Sequence, residues 1–121
     1  MQLDMPTDTR HATQAARWYR QRISAMVLAV CVLVHLVTIV YAVRSGLSAD
    51  ALLARTRGNL AFAAFYGVFV GACAVHVPPG LARIGEEWLG LPARTADILA
   101  NLFALVIVIM GVIAIYAVVR G

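Results

Sequence analysis

The sequence predicts an all-α integral membrane protein with three transmembrane helices, at about residues 23–43, 60–77 and 98–119. Two observations predict this fold class. Of the 121 residues, 62% are hydrophobic and the mean hydropathy is +0.84, whereas an ordinary soluble domain is about 45–50% apolar. The apolar residues also form three continuous runs, each close to the roughly 20 residues that a helix needs to cross about 30 Å of hydrocarbon.

A polar segment, residues 1–22, precedes the first apolar run. It lacks the apolar core of a signal peptide, so we expect no cleavage. Its second half can begin an amphipathic helix that places Trp18 and Tyr19 at the level of the lipid headgroups. The chain therefore divides into an N-terminal segment, 1–22, and a transmembrane domain, 23–121.

The first apolar run carries a polar stripe. At about 100° per residue, Ser24, Cys31, His35 and Thr38 fall within about 40° of one direction on a helix. Lipid cannot satisfy polar side chains, so we expect this stripe to face other protein.

The second apolar run follows a loop, residues 44–59, for which we predict one short helical turn around 49–54. Within the run, Gly67 and Gly71 form a small-residue ridge that permits close packing of another helix or of a flat prosthetic group.

Two prolines end the second run. Pro78 and Pro79 remove two amide donors, so they predict a kink or a break, followed by a short amphipathic segment to Trp88. Gly90, Pro92 and Thr95 then predict a turn, with Asp97 close to the start of the third run, residues 98–119.

The distribution of basic residues between the two sides of the membrane predicts the topology. All of these residues are arginines, since the chain contains no lysine. With three spans, the N-terminus and the second loop share one side of the membrane, and the bias of arginines toward that side favours a cytoplasmic N-terminus. The basic residues lie between apolar runs and not in one patch, which argues against a nucleic-acid partner. The arginines of the predicted cytoplasmic side are Arg10, Arg17, Arg20, Arg22, Arg83 and Arg94, and those of the other side are Arg44, Arg55, Arg57 and Arg120.

The sequence contains no nucleophile–base constellation, Walker loop or Rossmann fingerprint, so we do not expect the chain to be a catalyst by itself. Cys31 and Cys73 form neither a C-x-x-C pair nor a C-x-x-C-H haem-attachment motif. Both lie inside apolar runs, where a thiol behaves as a small apolar group.

Two histidines, His35 and His76, lie inside apolar runs, where an ionisable group is costly and needs a reason. Three roles are open: a hydrogen bond to a neighbouring helix, a proton relay in a small transporter or channel subunit, or axial ligation of non-covalent haem b. A purely structural anchor without haem is a further possibility.

The depths of the two histidines bear on the haem interpretation. Counted from the predicted cytoplasmic edge, His35 and His76 differ in depth by about 8 Å at 1.5 Å per residue. Two ligands of one upright haem should lie at nearly equal depth. We therefore favour two haems, each completed by a histidine from another chain, over one shared haem with a structural His35.

Two segments resemble a known family. Residues 21–25 (QRISA) leading to 32–36 (VLVHL) are similar to the first helix of the membrane-anchor (cytochrome b) subunits of succinate dehydrogenase and fumarate reductase, the complex II family. Residues 76–88 (H-x-x-x-G-L-x-R-x-x-x-E-W) resemble the haem-ligand helix and its exit in the same anchors. The likeness covers roughly residues 15–119, with three spans in the same order.

The resemblance implies a complex in the bacterial inner membrane. The partners would be a flavoprotein subunit and an iron–sulfur subunit on the cytoplasmic side, and a second membrane-anchor subunit. Electrons would pass between succinate or fumarate and a membrane quinone. His76 matches the ligand of the haem b nearer the iron–sulfur subunit, and His35 lies where two-haem members place a ligand of the distal haem.

The resemblance also implies quinone-binding residues near the cytoplasmic helix ends. Arg22 and Ser24 match an arginine and a serine that open the first helix, and Glu87 and Trp88 stand where some members carry Asp-Tyr. Tryptophan departs from that pattern, since its indole N–H can donate a hydrogen bond but cannot transfer a proton as a phenol can. All four can equally be interfacial anchors. Arg83 can pair with a haem propionate or with a neighbouring glutamate.

Overall fold

The computed structural model describes residues 7–121, so the first six residues of the predicted N-terminal segment lie outside the described part. The described chain forms four helices, α1 (Thr7–Arg44), α2 (Ala49–Thr56), α3 (Leu60–Leu89) and α4 (Ala93–Arg120). Of these, α1, α3 and α4 are long and apolar enough to cross a membrane. The prediction of an all-α chain with three apolar spans is therefore confirmed.

Each spanning helix is longer than its apolar run. Helix α1 includes most of the polar segment and begins at Thr7, and α4 begins directly after Pro92. Helix α3 continues through Pro78 and Pro79 to Leu89, so of the two predicted outcomes a break is wrong, while a kink stays a prediction. Packing against neighbouring helices on both sides of the prolines holds the helix together, although two of its amide donors are missing.

Helix α3 is the centre of the fold, because it packs against both α1 and α4. Its contact with α4 is built from small residues, which let two helix backbones approach closely where lipid supplies no hydrophobic driving force. This seam buries Ala82 and Gly85 on α3 against Ala96 and Ala100 on α4, and the buried Ala104 lies on the same face of α4.

The predicted ridge of Gly67 and Gly71 is not part of this seam. Both glycines are exposed, and a Cβ added at either one would meet no atom within 4 Å. Among the described residues, alanines and not these glycines provide the close helix contact.

Tight connections hold the ends of the helices together. Helix α3 ends at Gly90, which adopts a left-handed φ of 64°, and Leu91 N–H donates to the Gly85 carbonyl at 3.1 Å. At the opposite end of the bundle, Thr56 Oγ1 donates to the Val118 carbonyl at 2.7 Å, which fixes α2 to the end of α4. The predicted helical turn around 49–54 is confirmed as part of α2.

Candidate functional site

The predicted polar stripe of α1 lies mainly against α3. Ser24 and Cys31 are buried and His35 is half-buried, as expected for side chains that face protein. Thr38 is exposed and donates its hydroxyl hydrogen to the Val34 carbonyl of its own helix at 2.8 Å. Three of the four stripe residues are therefore placed as predicted.

His76 contacts this stripe at Ser24. The Ser24 hydroxyl donates to the Gln21 carbonyl at 3.0 Å and lies 3.3 Å from His76 Nδ1. A serine hydroxyl has one hydrogen, so Ser24 can only accept from the histidine. With the serine hydrogen on the carbonyl, the contact suits the tautomer whose Nδ1–H donates to Ser24 and whose Nε2 keeps its lone pair.

Gln21 makes a second link at the same level. Its Nε2 donates to the His76 backbone carbonyl at 3.2 Å, while its buried Oε1 has no hydrogen-bond partner among the described residues. The sequence interpretation included Gln21 in a motif but gave it no role, because a bond to a backbone carbonyl of another helix has no sequence signature.

His35 has a partner that the sequence interpretation missed. Its Nδ1 lies 2.7 Å from the Tyr66 hydroxyl of α3. The rings of Tyr66 and Phe69 meet the imidazole edge-on, with centroids 5.5 Å and 5.8 Å away. The antiparallel register explains the pairing, since Ser24 with His76 and His35 with Tyr66 are successive cross-links of the same two helices.

This register also corrects the depth estimate. His76 is level with Ser24, and Ser24 precedes His35 on one continuous helix, so the rise of 1.5 Å per residue separates the histidines by about 16 Å along α1. The sequence estimate was too small because it placed His76 about 10 Å inside the membrane edge, whereas His76 is level with Ser24, one residue past Ile23, where that edge was set on α1. The two imidazoles therefore lie at separate levels, too far apart to share one ion.

A groove of about 520 Å³ borders His35 on the side toward α2. Its wall is almost wholly apolar, apart from His35, Thr38 and Tyr66. All four helices contribute to it, and its walls include Ile39, Leu52, Phe69, Ile107, Gly111 and Val118.

At the other end of the bundle, the first turns of α4 and the last turns of α3 meet α1 around two polar cavities, of about 770 and 710 Å³. We call these together the polar cleft. Both are bordered by Arg17, Gln21, Pro79 and Asp97. The cleft mixes hydrogen-bond donors with carboxylates, so it suits a polar molecule and not a purely apolar one.

The four predicted quinone residues do not all reach this cleft. Glu87 borders it, whereas Ser24 is buried against His76. The Arg22 guanidinium lies over the Trp18 ring at 5.2 Å, and Trp88 is 82% exposed.

Arg83 also borders the cleft and pairs with Glu87 of the next helical turn at 3.8 Å. Both side chains are largely exposed, so this pair contributes little to stability. From the sequence, Arg83 could pair with a haem propionate or with a neighbouring glutamate. Among the described residues, it pairs with the glutamate.

Comparison of the chain with protein-family models, with curated proteins and with solved structures gave no match. The resemblance to complex II anchors therefore rests on the two segments around residues 21–36 and 76–88. A functional assignment has to be argued from the geometry of the site.

Proposed function

We propose that this chain is a membrane-anchor subunit of a succinate:quinone oxidoreductase or fumarate reductase, binding haem b and forming part of a quinone site. One observation carries the proposal. Two imidazoles lie at separate levels between membrane-spanning helices, each bonded at Nδ1 to a hydroxyl, and Nε2 of neither has a partner among the described residues. A neutral imidazole bonded at Nδ1 is the usual form of a histidine ligand.

The residues present fit haem b in their chemistry. Non-covalent haem would need nitrogen ligands and an apolar surface, and it needs no C-x-x-C-H motif. His35 borders the apolar groove of about 520 Å³, within the range of about 300–1,000 Å³ for ligand pockets. The chain offers one histidine at each level, so a second axial histidine would come from the partner anchor subunit.

The chain's own residues would hold and insulate the redox group. Haem b, when bound, supplies one-electron transfer between the iron–sulfur subunit and the quinone. The apolar walls around His35 exclude water, and the cross-links between α1 and α3 keep each imidazole at a fixed depth. A separation of about 16 Å would suit two haems, one held by His76 toward the polar cleft and one held by His35 toward α2.

The quinone would bind at the end of the bundle that holds the polar cleft. Quinone oxygens need hydrogen-bond donors, and Arg17 and Trp18 supply them at its border, beside Glu87. Arg22 and Trp88 remain candidates through side-chain movement, while the one hydroxyl hydrogen of Ser24 is already committed to a carbonyl. Arg83 remains a candidate for a haem propionate.

The partner subunits would dock at this same end. Helix α1 extends beyond its apolar run there and presents exposed arginines, suited to an iron–sulfur subunit on the cytoplasmic side of a bacterial inner membrane. The flavoprotein subunit would carry out the dicarboxylate chemistry.

A proton relay between the histidines has weaker support. Between the two levels, the only side chains on α1 and α3 that carry a polar hydrogen are the thiols of Cys31 and Cys73, and neither has a described hydrogen bond. A relay needs a continuous hydrogen-bonded path.

A visible spectrum of the purified complex tests the proposal. We expect sharp reduced α-bands of haem b, with His76→Leu and His35→Leu each removing a different part of the spectrum. His11→Leu is the matched control, because His11 is exposed on the polar part of α1. Loss with His76→Leu alone would support one haem. A fully active complex from which no porphyrin can be extracted would contradict the proposal and leave a relay or a bare anchor.

A further inference from the structure

We infer that Ser24 and Tyr66 are positioning residues that hold His76 and His35 through Nδ1 and so present Nε2 as the ligand atom. This inference rests on the proposed function, since it assigns the hydroxyls a role toward haem. The two contacts are reciprocal: α1 supplies the hydroxyl at the level of His76, and α3 supplies it at the level of His35.

The Ser24 hydroxyl is fixed before it meets the histidine. It is buried, with 6% of the residue exposed, and its hydrogen is donated to the Gln21 carbonyl one turn earlier. Its oxygen keeps two lone pairs as acceptors and lies 3.3 Å from His76 Nδ1. Because Ser24 can only accept, it selects the ring tautomer in which Nε2 is unprotonated.

The Tyr66 hydroxyl is fixed by its own ring. That ring packs against Phe62, Phe65 and Phe69, with centroids 4.4 to 6.2 Å away. The hydroxyl lies 2.7 Å from His35 Nδ1, and the edge-on contacts of Tyr66 and Phe69 restrict rotation of the imidazole. A tyrosine hydroxyl can accept or donate, so ligation through Nε2 requires His35 Nδ1–H to donate to it.

Both bonds have the same chemical consequence. A hydrogen bond donated by Nδ1–H makes Nε2 a stronger electron donor, which tightens iron binding and stabilises the oxidised state. Loss of such an outer partner costs about 10- to 100-fold in metal affinity. The hydroxyls are thus positioning residues, since they act through the histidines and not on the quinone.

The inference changes the role of Ser24. Its place in the sequence motif suggests a quinone contact, whereas its hydroxyl bonds the ring of His76. The two roles predict different measurements. A quinone contact changes the KM for quinone, and a positioning contact changes the haem that depends on His76.

The experiment uses the complete purified complex with Ser24→Ala and Tyr66→Phe. We expect haem to transfer to excess apomyoglobin about 10- to 100-fold more readily in each variant, because its affinity falls. The midpoint potential should rise, and the low-temperature EPR signature of the ferric haem should change. Ser24→Ala should affect only the haem lost in His76→Leu, and Tyr66→Phe only the haem lost in His35→Leu.

Matched controls remove a hydroxyl that does not touch a histidine. The Ser45 hydroxyl, just after α1, donates only to the Tyr41 carbonyl, and Tyr41 is exposed, so Ser45→Ala and Tyr41→Phe should behave as wild type. Ser24→Thr keeps a hydroxyl and should restore the wild-type potential.

The outcomes separate this inference from the proposed function. Wild-type complex without extractable porphyrin would overturn both. A different result would overturn the positioning role alone. In that case the histidine variants lose haem, but Ser24→Ala and Tyr66→Phe leave its affinity, midpoint potential and EPR signature unchanged. Potential and EPR are measured on the haem that remains bound, so a low yield of a variant does not obscure the result.

Discussion

At the scale of single residues, Gly111 is a point of closest approach between α3 and α4. A Cβ at this position would lie 2.6 Å from Val70 Cγ2 and 3.3 Å from Cγ1. Valine is stiff at χ1, so it cannot turn both methyl groups away. Gly111→Ala should therefore destabilise the chain by about 1–3 kcal/mol, measured by unfolding of the purified protein in detergent with increasing SDS.

The control for this prediction is Gly71→Ala, because a Cβ there meets nothing within 4 Å. It should leave the unfolding midpoint unchanged or raise it slightly, since alanine favours a helix over glycine. Adding Val70→Ala to Gly111→Ala should restore part of the loss. Equal midpoints for Gly111→Ala and Gly71→Ala would show that the two helices do not pack as described.

Single residues also mark the limit of the sequence interpretation. Ser24, Cys31 and His35 could be assigned to a protein-facing stripe, because they repeat on one helix with helical spacing. Tyr66 and the role of Gln21 could not be assigned, because their partners lie on the facing helix and depend on its register. A sequence fixes the angular position of a side chain on its own helix, but not the height at which a second helix packs.

At the scale of elements, apolar runs predict where a helix crosses hydrocarbon, but not where it ends. The first run begins at Ile23, yet α1 begins at Thr7, because backbone hydrogen bonds continue into water as long as the residues tolerate a helix. Helix α3 also continues beyond its apolar run, through Pro78 and Pro79, which were predicted to kink or break it. Packing on both sides of the prolines outweighs their local preference.

The short helix α2 caps the end of α4. Helix α4 ends at Arg120, so the Val118 and Val119 carbonyls lack helical donors. Thr56 Oγ1 supplies a donor to Val118, and Gly58 N–H supplies one to Val119 at 2.9 Å. Thr56→Val should cost about 1–3 kcal/mol by leaving the first carbonyl unsatisfied, and should loosen α2.

Trypsin measures this loosening, because Arg55 and Arg57 lie on either side of Thr56. Cleavage at both arginines should be faster in Thr56→Val than in the wild type. The control is Thr38→Val, which removes an exposed hydroxyl bonded only within its own helix. A cleavage rate equal to that of the wild type would mean that α2 is held by other contacts.

At the scale of the whole molecule, the three spans pack in an open arrangement. Helix α3 lies between α1 and α4, and the large apolar side chains of all three helices are mostly exposed. Such a surface is ordinary where lipid covers it, and it also leaves room for a second anchor subunit. The two histidine levels and the polar cleft are arranged along the same axis, which suits electron transfer into the membrane from one end.

The orientation of this axis gives the last prediction. Six arginines lie at the end with the N-terminus and the second loop, against four at the other end, so the polar cleft should face the cytoplasm. Alkaline phosphatase fused after Gly46 or Gly121 should then be active, because it folds only outside the cytoplasm. The same enzyme fused after Gly90 should be inactive, and the three fusions check one another. The reverse pattern would turn the cleft away from the cytoplasm and would contradict the proposed docking of an iron–sulfur subunit on the cytoplasmic side.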